Sequence, residues 1–247
     1  MRCVIFGGTT EGRALSCELA RLGAAVTVCV ATSYGAEEQG ETAGIEVLAG
    51  RLDAAGMERV VSGADVCVDA THPYAQEASR NIRTACGRAR VELLRLLRDK
   101  SEIPAGAAVF SSAPEAAARL QAASGNILLT TGAKELKAFA SLGGARLYPR
   151  VLPSHESLAA CEAAGVPRSN ILALQGPFSR ELNEALIRQY RIRFLVTKDG
   201  GRAGGFEEKA AATAATGVQL VLIRRPEEDG LDYETVLARC GEMITCG

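Results

Sequence analysis

The chain has 247 residues, 47% of them hydrophobic and 23% charged, which is enough for one large domain or for two of about 100–150 residues. Its formal net charge of −1 gives no overall attraction to nucleic acid or to an acidic membrane, so local arginines and lysines must bind any anionic ligand. No run approaches the roughly 18 apolar residues of a membrane span, and we expect a cytoplasmic protein with no membrane or nucleic-acid partner.

The eight cysteines include no Cys-x-x-Cys pair, and Cys3, Cys29 and Cys67 lie within apolar runs that are typical of strands. In a reducing compartment such residues are small buried hydrophobes. Neither a disulfide framework nor a metal site is therefore expected.

Short apolar runs alternate with amphipathic or alanine-rich stretches along the chain, which is typical of an α/β protein with mainly parallel sheets. The strands predicted in the first part are Cys3–Phe6, Ala25–Val30, Ile45–Leu48, Val66–Asp69 and Val91–Leu96. The helices predicted between them are Glu11–Leu22, Ala54–Val61 and Ala75–Arg90. The strands predicted in the second part, with helices in the gaps, are Ala107–Phe110, Ile127–Thr130, Ala145–Tyr148, Ile171–Leu174, Phe194–Thr197 and Gln219–Ile223.

The segment KSEIPAG (100–106) interrupts this alternation with charge, proline and glycine, which indicates a linker. We therefore predict two Rossmann-like α/β lobes, residues 1–100 and 101–247. A ligand is expected in a cleft at the carboxyl ends of the strands.

The first strand leads into FGGTTEGRAL (6–15), a strand–glycine–helix arrangement in which free N–H groups and the helix dipole attract phosphate. The match to Gly-x-Gly-x-x-Gly is loose, and nucleotide binding has about even odds on this motif alone. The alternative is a plain turn, with Thr10 as N-cap and Glu11 complementing the dipole. Both interpretations hold if Glu11 faces the ribose or the backbone and not the pyrophosphate.

The second strand ends in VCVATSYG (28–35), with Thr32 and Ser33 where NAD-selective folds usually carry an acid. A carboxylate there would repel the additional phosphate of NADP, whereas hydroxyls and a nearby arginine would accept it. Arg13 and Arg51 are the available cations, so the pattern favours NADP(H) if a dinucleotide binds.

The fourth strand ends in DATHPYA (69–75), where Pro73 holds His72 in an extended conformation. A histidine beside Asp69, Thr71 and Tyr74 could position a cofactor or transfer a proton. The alternative, a loop histidine bonded to backbone, is favoured about two to one on this segment alone.

Three strand ends of the second lobe pass from apolar residues to glycine and polar residues and then to a helix: LLTTGAKEL (128–136), LALQGPFSREL (172–182) and LVTKDGGRAGG (195–205). Any one of them could be an ordinary turn, but three on one sheet edge indicate a site for an anionic substrate. YPRVLP (148–153) adds a cation, Arg150, between two prolines.

Together these stretches resemble the precorrin-6A reductase family of cobalamin biosynthesis, in the family's order and over nearly the whole chain. The matching segments are GGTTEGRAL (7–15), AGRLD (49–53), VDATHPYA (68–75), LLTTGAKEL (128–136), RVLP (150–153), LQGPFSRELN (174–183), VTKDGGRAGGFEEKAAA (196–212) and IRRP (223–226). After the fifth strand the family has LRP and a tryptophan, where this chain has LLRDKSE (96–102).

The resemblance implies an NADPH-dependent reductase with the cofactor mainly on the N-terminal lobe and an anionic tetrapyrrole in the cleft. Hydride would pass from the nicotinamide to one carbon of a macrocycle double bond, and a proton to its neighbour. Neighbouring enzymes of the corrin pathway are further expected partners. The substrate is precorrin-6A or its cobalt form.

The resemblance also assigns roles to residues. For the cofactor, the predicted residues are Gly7, Gly8, Thr9, Thr10, Glu11, Arg13, Ser33, Arg51, Thr71 and His72. For the substrate carboxylates, they are Lys134, Arg150, Gln175, Ser179, Lys198 and Arg202. For proton delivery, the candidates are His72, Tyr74, Asp199 or a bound water, and the conjugation of the macrocycle could make a dedicated acid unnecessary.

Two other functions share the predicted architecture: a two-lobed group transferase that uses a nucleotide-linked donor, and a non-catalytic small-molecule binding protein. A phosphate-type turn beside an acid-free second strand end is not explained by the binding protein. Cofactor identity separates the three.

Overall fold

The computed structural model describes residues 1–98, 102–200, 204–225 and 227–246. The chain forms two compact units, Met1–Asp99 with Glu227–Gly247, and Lys100–Pro226. The predicted linker residues Lys100 and Ser101, and the predicted substrate residue Arg202, lie outside the described residues.

The first unit contains a five-stranded, all-parallel sheet. Its strands are β1 (Arg2–Phe6), β2 (Ala25–Val30), β3 (Ile45–Ala49), β4 (Val66–Asp69) and β5 (Glu92–Arg95), in the order β3-β2-β1-β4-β5. Its first four helices are α1 (Thr10–Arg21), α2 (Ser33–Gln39), α3 (Ala54–Val61) and α4 (Gln76–Ala89). Strands β2 and β3 are added on one side of β1, and β4 and β5 on the other, so the strand order reverses between β1 and β4. Ligands of such sheets bind in the crevice at that point.

Helices cover both faces of this sheet, which is why β1 and β4 read as continuous apolar runs. Leu15 and Leu19 of α1 pack on one face, and Ile82 of α4 packs on the other with Met57 of α3. Cys3, Cys29 and Cys67 are free and buried in β1, β2 and β4, as predicted.

The second unit contains a six-stranded, all-parallel sheet. Its strands are β6 (Ala108–Phe110), β7 (Asn126–Leu129), β8 (Leu147–Val151), β9 (Leu172–Ala173), β10 (Ile192–Lys198) and β11 (Gln219–Ile223), in the order β6-β11-β10-β7-β8-β9. Its helices are α5 (Ala113–Gln121), α6 (Leu136–Phe139), α7 (His155–Ala163), α8 (Arg180–Gln189) and α9 (Phe206–Thr216). In this sheet the strand order reverses between β7 and β10.

The last helix, α10 (Tyr233–Cys246), belongs to the first unit. Val236 and Cys240 are fully buried beside Cys3 of β1, in the same apolar cluster as Leu15. The prediction that assigned all of residues 101–247 to the second lobe is therefore wrong for residues 227–247. The amphipathic pattern of α10 predicts that one face is buried, but it does not say against which sheet.

The α/β class with two Rossmann-like, parallel-sheet lobes is confirmed, whereas the cleft between them stays a prediction. Two elements differ from expectation. Helix α2 was not predicted, because its one buried residue is Gln39 and it has no apolar face. Strand β8 begins at Leu147 and not at Ala145, because Gly144–Arg146 forms a 3-10 turn. Among the described residues, no helix is both long enough and apolar enough to span a membrane.

Candidate functional site

Three glycines shape the turn after β1, and each meets a different steric requirement. A β-carbon on Gly7 would lie 3.2 Å from Val28 Cγ1, so the turn packs tightly against β2. Gly8 has φ +121°, which L side chains rarely adopt, and the space beside it is open. A β-carbon on Gly12 would lie 2.7 Å from Ala70 Cβ, so α1 packs directly on the chain after β4.

The glycines of a dinucleotide-binding fingerprint have the same three structural roles: they allow a tight turn, leave room for the pyrophosphate, and permit close packing of helix on strand. The spacing Gly7-Gly8-x-x-x-Gly12 thus reproduces the packing of that fingerprint, although its sequence match is loose. Within the described part of the chain, the N–H groups of Gly8, Thr9 and Thr10 have no recorded acceptor. The turn therefore fits a bound phosphate.

Thr9, not Thr10, is the N-cap of α1. Its Oγ1 accepts from the N–H of Gly12 at 3.1 Å and donates to the carbonyl oxygen of Ala70 at 2.9 Å. One hydroxyl thus caps the helix and joins the loops after β1 and β4, where the strand order reverses. Thr10 is exposed at the first position of the helix.

Glu11 is held by a residue that the sequence analysis did not select. Both Nε and Nη2 of Arg98 donate to Glu11 Oε2, at 3.0 and 2.8 Å. The side chain of Arg98 is only 8% exposed, and that of Glu11 is 28% exposed. The guanidinium offsets the negative charge at the start of α1, so a carboxylate is compatible with a phosphate site there.

The neighbouring strand ends carry the other cofactor candidates of the first unit. Thr32 caps α2 by accepting from the N–H of Gly35 at 3.0 Å, and Ser33 is exposed at the start of that helix. Arg13 and Arg51 are exposed, and neither has an acceptor or an ion-pair partner recorded among residues 1–98, 102–200, 204–225 and 227–246. Both cations are available to a phosphate.

The loop after β4 is anchored by Arg95, a second residue that was missed. Its side chain is 9% exposed and pairs with the buried Asp69 at 2.9 Å and with Glu228 at 2.6 Å. Arg95 Nη1 also donates to the carbonyl oxygen of Thr71 at 3.0 Å, and Thr71 Oγ1 donates to Asp69 Oδ1 at 2.7 Å. The start of this loop is thus fixed by charge-assisted hydrogen bonds.

His72 and Tyr74 lie together on this anchored loop. Their rings are stacked with centroids 5.3 Å apart, and the N–H of Tyr74 donates to His72 Nδ1 at 3.4 Å. Both side chains are half-buried. The two rings therefore form one packed unit on this loop.

In the second unit two of the predicted residues are in ion pairs. Lys198 donates to Glu135 Oε1 at 2.7 Å, joining the ends of β10 and β7. Asp199 is buried, and its Oδ2 lies 3.7 Å from Arg225 Nε. A carboxylate in an ion pair accepts hydrogen bonds and donates none. Lys134 is exposed in the 3-10 turn Ala133–Glu135.

Arg150 differs most from its predicted setting. It lies inside β8 and is only 7% exposed, whereas the predicted strand ended at Tyr148 and left Arg150 after it. Its Nη1 donates to Oδ1 of the fully buried Asn183 at 2.8 Å, and the guanidinium lies 3.9 Å from the centroid of the Phe178 ring. Burial lowers the pKa of Arg150 to about 10. Ser179 is the N-cap of α8, and Gln175 is exposed after β9.

The structure therefore groups the predicted residues at two sheet edges. The cofactor candidates occupy the carboxyl edge of the first sheet, and the substrate candidates that are described occupy the carboxyl edge of the second. Arg95 and Arg98 could have been found from the sequence as charges inside an apolar strand run, VELLRLLRD (91–99). Asn183 carried no such signal.

The comparisons with known proteins identify the family. The family described as Precorrin-6x reductase CbiJ/CobK matches residues 2–244. The cobalt-precorrin-6A reductase of Priestia megaterium is 33% identical, over 98% of this chain and 96% of its own. The precorrin-6A reductase of Rhodococcus erythropolis is 32% identical, over 91% and 89%.

A solved structure, CobK precorrin-6A reductase, superposes with a TM-score of 0.78 over 98% of this chain and 97% of its own. The two are 24% identical, so this match supports the fold alone. With the family match covering nearly every residue, the chain belongs to the precorrin-6A reductase family of cobalamin biosynthesis.

Proposed function

We propose that this protein reduces one macrocycle double bond of precorrin-6A or cobalt-precorrin-6A with NADPH, giving the dihydro product. Family membership supports the reaction and the anionic tetrapyrrole substrate. The observation that carries the cofactor is the turn at Gly7, Gly8 and Gly12, with Thr32 and Ser33 in place of an acid at the end of β2.

A bound NADPH would supply the hydride, and the protein supplies binding, orientation and a proton. The N–H groups after Gly8 would hold the pyrophosphate, and Arg98 keeps Glu11 from repelling it. Arg13 is the candidate cation for the phosphates, and Ser33 is the candidate contact for the adenosine ribose. Arg51 and His72 are the candidates for the nicotinamide half.

Arg95 fixes the loop that carries His72 and Tyr74. We favour these two over Asp199 as the source of the proton, because Asp199 lies in an ion pair with Arg225. A water held by the same loop is the alternative donor.

The location and partners follow from the same proposal. Among the described side chains, seven cysteines are free and six of these are buried, which fits a reducing cytoplasm. Enzymes that make the precorrin-6A macrocycle and use its reduced form are the expected partners.

The test is anaerobic incubation of the protein with NADPH and precorrin-6A or its cobalt form, followed by the absorption spectrum of the pigment. We expect a spectral change that requires NADPH and is much weaker with NADH. Binding is read separately from the quenching or shift of nicotinamide fluorescence. A protein that responds to neither nucleotide would contradict the proposal.

A further inference from the structure

Two cations are buried in the second unit on either side of α8, and only one of them was selected from the sequence. Arg150 of β8 and Lys209 of α9 are each 7% exposed. Arg150 is hydrogen-bonded to Asn183 of α8, and α8 packs against α9, which carries Lys209. The positive charge of Arg150 also lowers the pKa of Lys209. We call them the buried cation pair.

The contacts of the buried cation pair are with neutral groups. Arg150 Nη1 donates to Asn183 Oδ1 at 2.8 Å, and its guanidinium stacks on Phe178. Lys209 Nζ donates to the carbonyl oxygen of Gly204 at 2.7 Å. Neither cation has an ion pair within 4.0 Å recorded in the part of the chain that the structure describes. Asn183 is itself fixed, because its amide donates to the carbonyl oxygen of Ser179 at 2.7 Å.

One carboxylate, that of Glu208, acts on Lys209, but no ion pair between them is recorded among the described residues. Glu208 precedes Lys209 in α9 and raises the pKa of the amine, but its effect is smaller than those of burial and of Arg150. Its Oε2 is buried and has no hydrogen-bond donor among the described residues. The three side chains together leave one uncompensated positive charge in a buried setting.

A buried charge without a partner costs several kcal/mol, and proteins tolerate it mainly where a ligand completes the pair. The net positive charge of the three side chains therefore favours binding of an anion. A guanidinium offers a planar pair of donors that matches a carboxylate, and an ammonium can bind the second oxygen.

We propose that Arg150 and Lys209 together bind one peripheral carboxylate of the tetrapyrrole. This deepens the proposed function and rests on it, since the substrate supplies the carboxylate. Asn183 is a positioning residue, because it fixes the guanidinium. Lys198, by contrast, already has a carboxylate partner in Glu135 and is less available to the substrate.

The titration of Lys209 provides a test that needs no turnover. Burial, followed by the charge of Arg150, lowers its pKa to about 8. The chain has five lysines, so protein labelled with ¹³C-lysine gives a small set of side-chain signals, and K209R assigns the one of interest. The probe is uroporphyrin, a stable tetrapyrrole with acetate and propionate side chains.

We expect the midpoint of the Lys209 signal to rise when uroporphyrin is added, because a carboxylate binds the protonated amine preferentially. The signal of Lys137, exposed on α6, is the internal control and should keep its midpoint. A Lys209 midpoint that does not rise at the highest soluble concentration of the probe overturns the proposal.

Kinetics with the macrocycle substrate give the second test. K209M should raise the KM for the tetrapyrrole about 10- to 100-fold, the loss expected for one charged hydrogen bond, and leave the KM for NADPH unchanged. K209R should retain most of the affinity, and K137M should change neither constant. An unchanged tetrapyrrole KM in K209M overturns the proposal.

A third measurement separates binding from folding. K209M should melt no lower than the wild type near pH 7, because it removes a charge whose burial is unfavourable. A lower melting temperature with an unchanged KM would make Lys209 a structural residue. If the wild type reduces no tetrapyrrole, the proposed function fails, and the shift with uroporphyrin still decides whether the anion site exists.

Discussion

At the scale of single residues, Glu11 and Arg98 show how an acid can stand beside a phosphate-binding turn. The two carboxylate-to-guanidinium hydrogen bonds of 2.8 and 3.0 Å hold the charges together, and Arg98 is nearly buried. The pair is separated by 87 positions in the chain, so no local pattern predicts it. The sequence indicated only that Glu11 must not face the pyrophosphate.

Substitution of Arg98 should reveal the repulsion between Glu11 and the cofactor phosphates. We expect R98M to weaken NADPH binding by about tenfold, because Glu11 would then repel the phosphates without compensation. The double variant R98M/E11Q should recover much of the loss. Fluorescence titration of NADPH measures both, and losses that simply add in the double variant would show that the two residues act independently.

Arg13 is exposed on α1 with no recorded partner in the described residues, so its cation is free for a phosphate. R13A should raise the KM for NADPH by about tenfold and leave that for the tetrapyrrole nearly unchanged. R119A, on the exposed face of α5, is the matched control. Equal increases in both Michaelis constants would contradict the assignment of Arg13 to the cofactor.

If His72 moves a proton or orients the nicotinamide, its substitution should lower the turnover rate without weakening the binding of NADPH. We expect H72A to lower kcat at least about a hundredfold, in the range of general acid–base catalysis, with the KM for NADPH changed little. Y74F provides the comparison, since it keeps the stacked ring and removes the phenol. An unchanged kcat in H72A would leave the histidine a structural loop residue.

At the scale of elements, the closest packing at the site is that of α1 on the chain after β4. G12A places a methyl group 2.7 Å from Ala70 Cβ. This distance is too short for two carbon atoms, so the backbone of α1 or of the chain at Ala70 must shift. The variant should lose about 1–3 kcal/mol of unfolding free energy and bind NADPH less tightly, because the start of α1 shifts.

Gly87 on α4 is the matched control, since a β-carbon there meets nothing within 4 Å. G87A should gain about 0.5–1 kcal/mol, the usual helix-interior difference between glycine and alanine. Urea unfolding compares the two variants with the wild type. Equal stability of G12A and the wild type would show that α1 can move without cost.

The central strands, which are buried on both faces, could be predicted from the sequence. Helix α2 and the start of β8, which depend on contacts with distant residues, could not. The apolar runs of β1, β2 and β4 identify central parallel strands because polar residues are excluded from both faces. Helix α2 lacks an apolar stripe and was missed, and the 3-10 turn Gly144–Arg146 shifted β8. That shift places Arg150 inside the strand, where it is buried, and not after the strand as predicted.

At the scale of the whole molecule, the first unit is built from both ends of the chain. Val236 and Cys240 of α10 fill the same cluster as Cys3 and Leu15. Glu228, which leads to α10, pairs with Arg95 at the site. The sequence predicted the two sheets but could not assign this segment, because both sheets offer apolar faces to a helix.

A chain that ends at residue 226 should therefore lose the order of the first sheet. We expect amide hydrogens of β1 and β2 to exchange quickly in the truncated protein, while those of β7 and β10 keep their protection. NADPH binding should be lost with the first sheet. Equal protection of both sheets would show that α10 adds little to the first unit.

The contribution of α10 also constrains the order in which the two units can fold. The second unit is one continuous stretch, Lys100–Pro226, so its contacts form within a single uninterrupted segment. The first unit joins two segments that lie on either side of that stretch, so its core is completed only after residues 227–247 have been translated. Until then the second unit separates the two parts of the first, and part of the apolar surface of the first sheet stays uncovered.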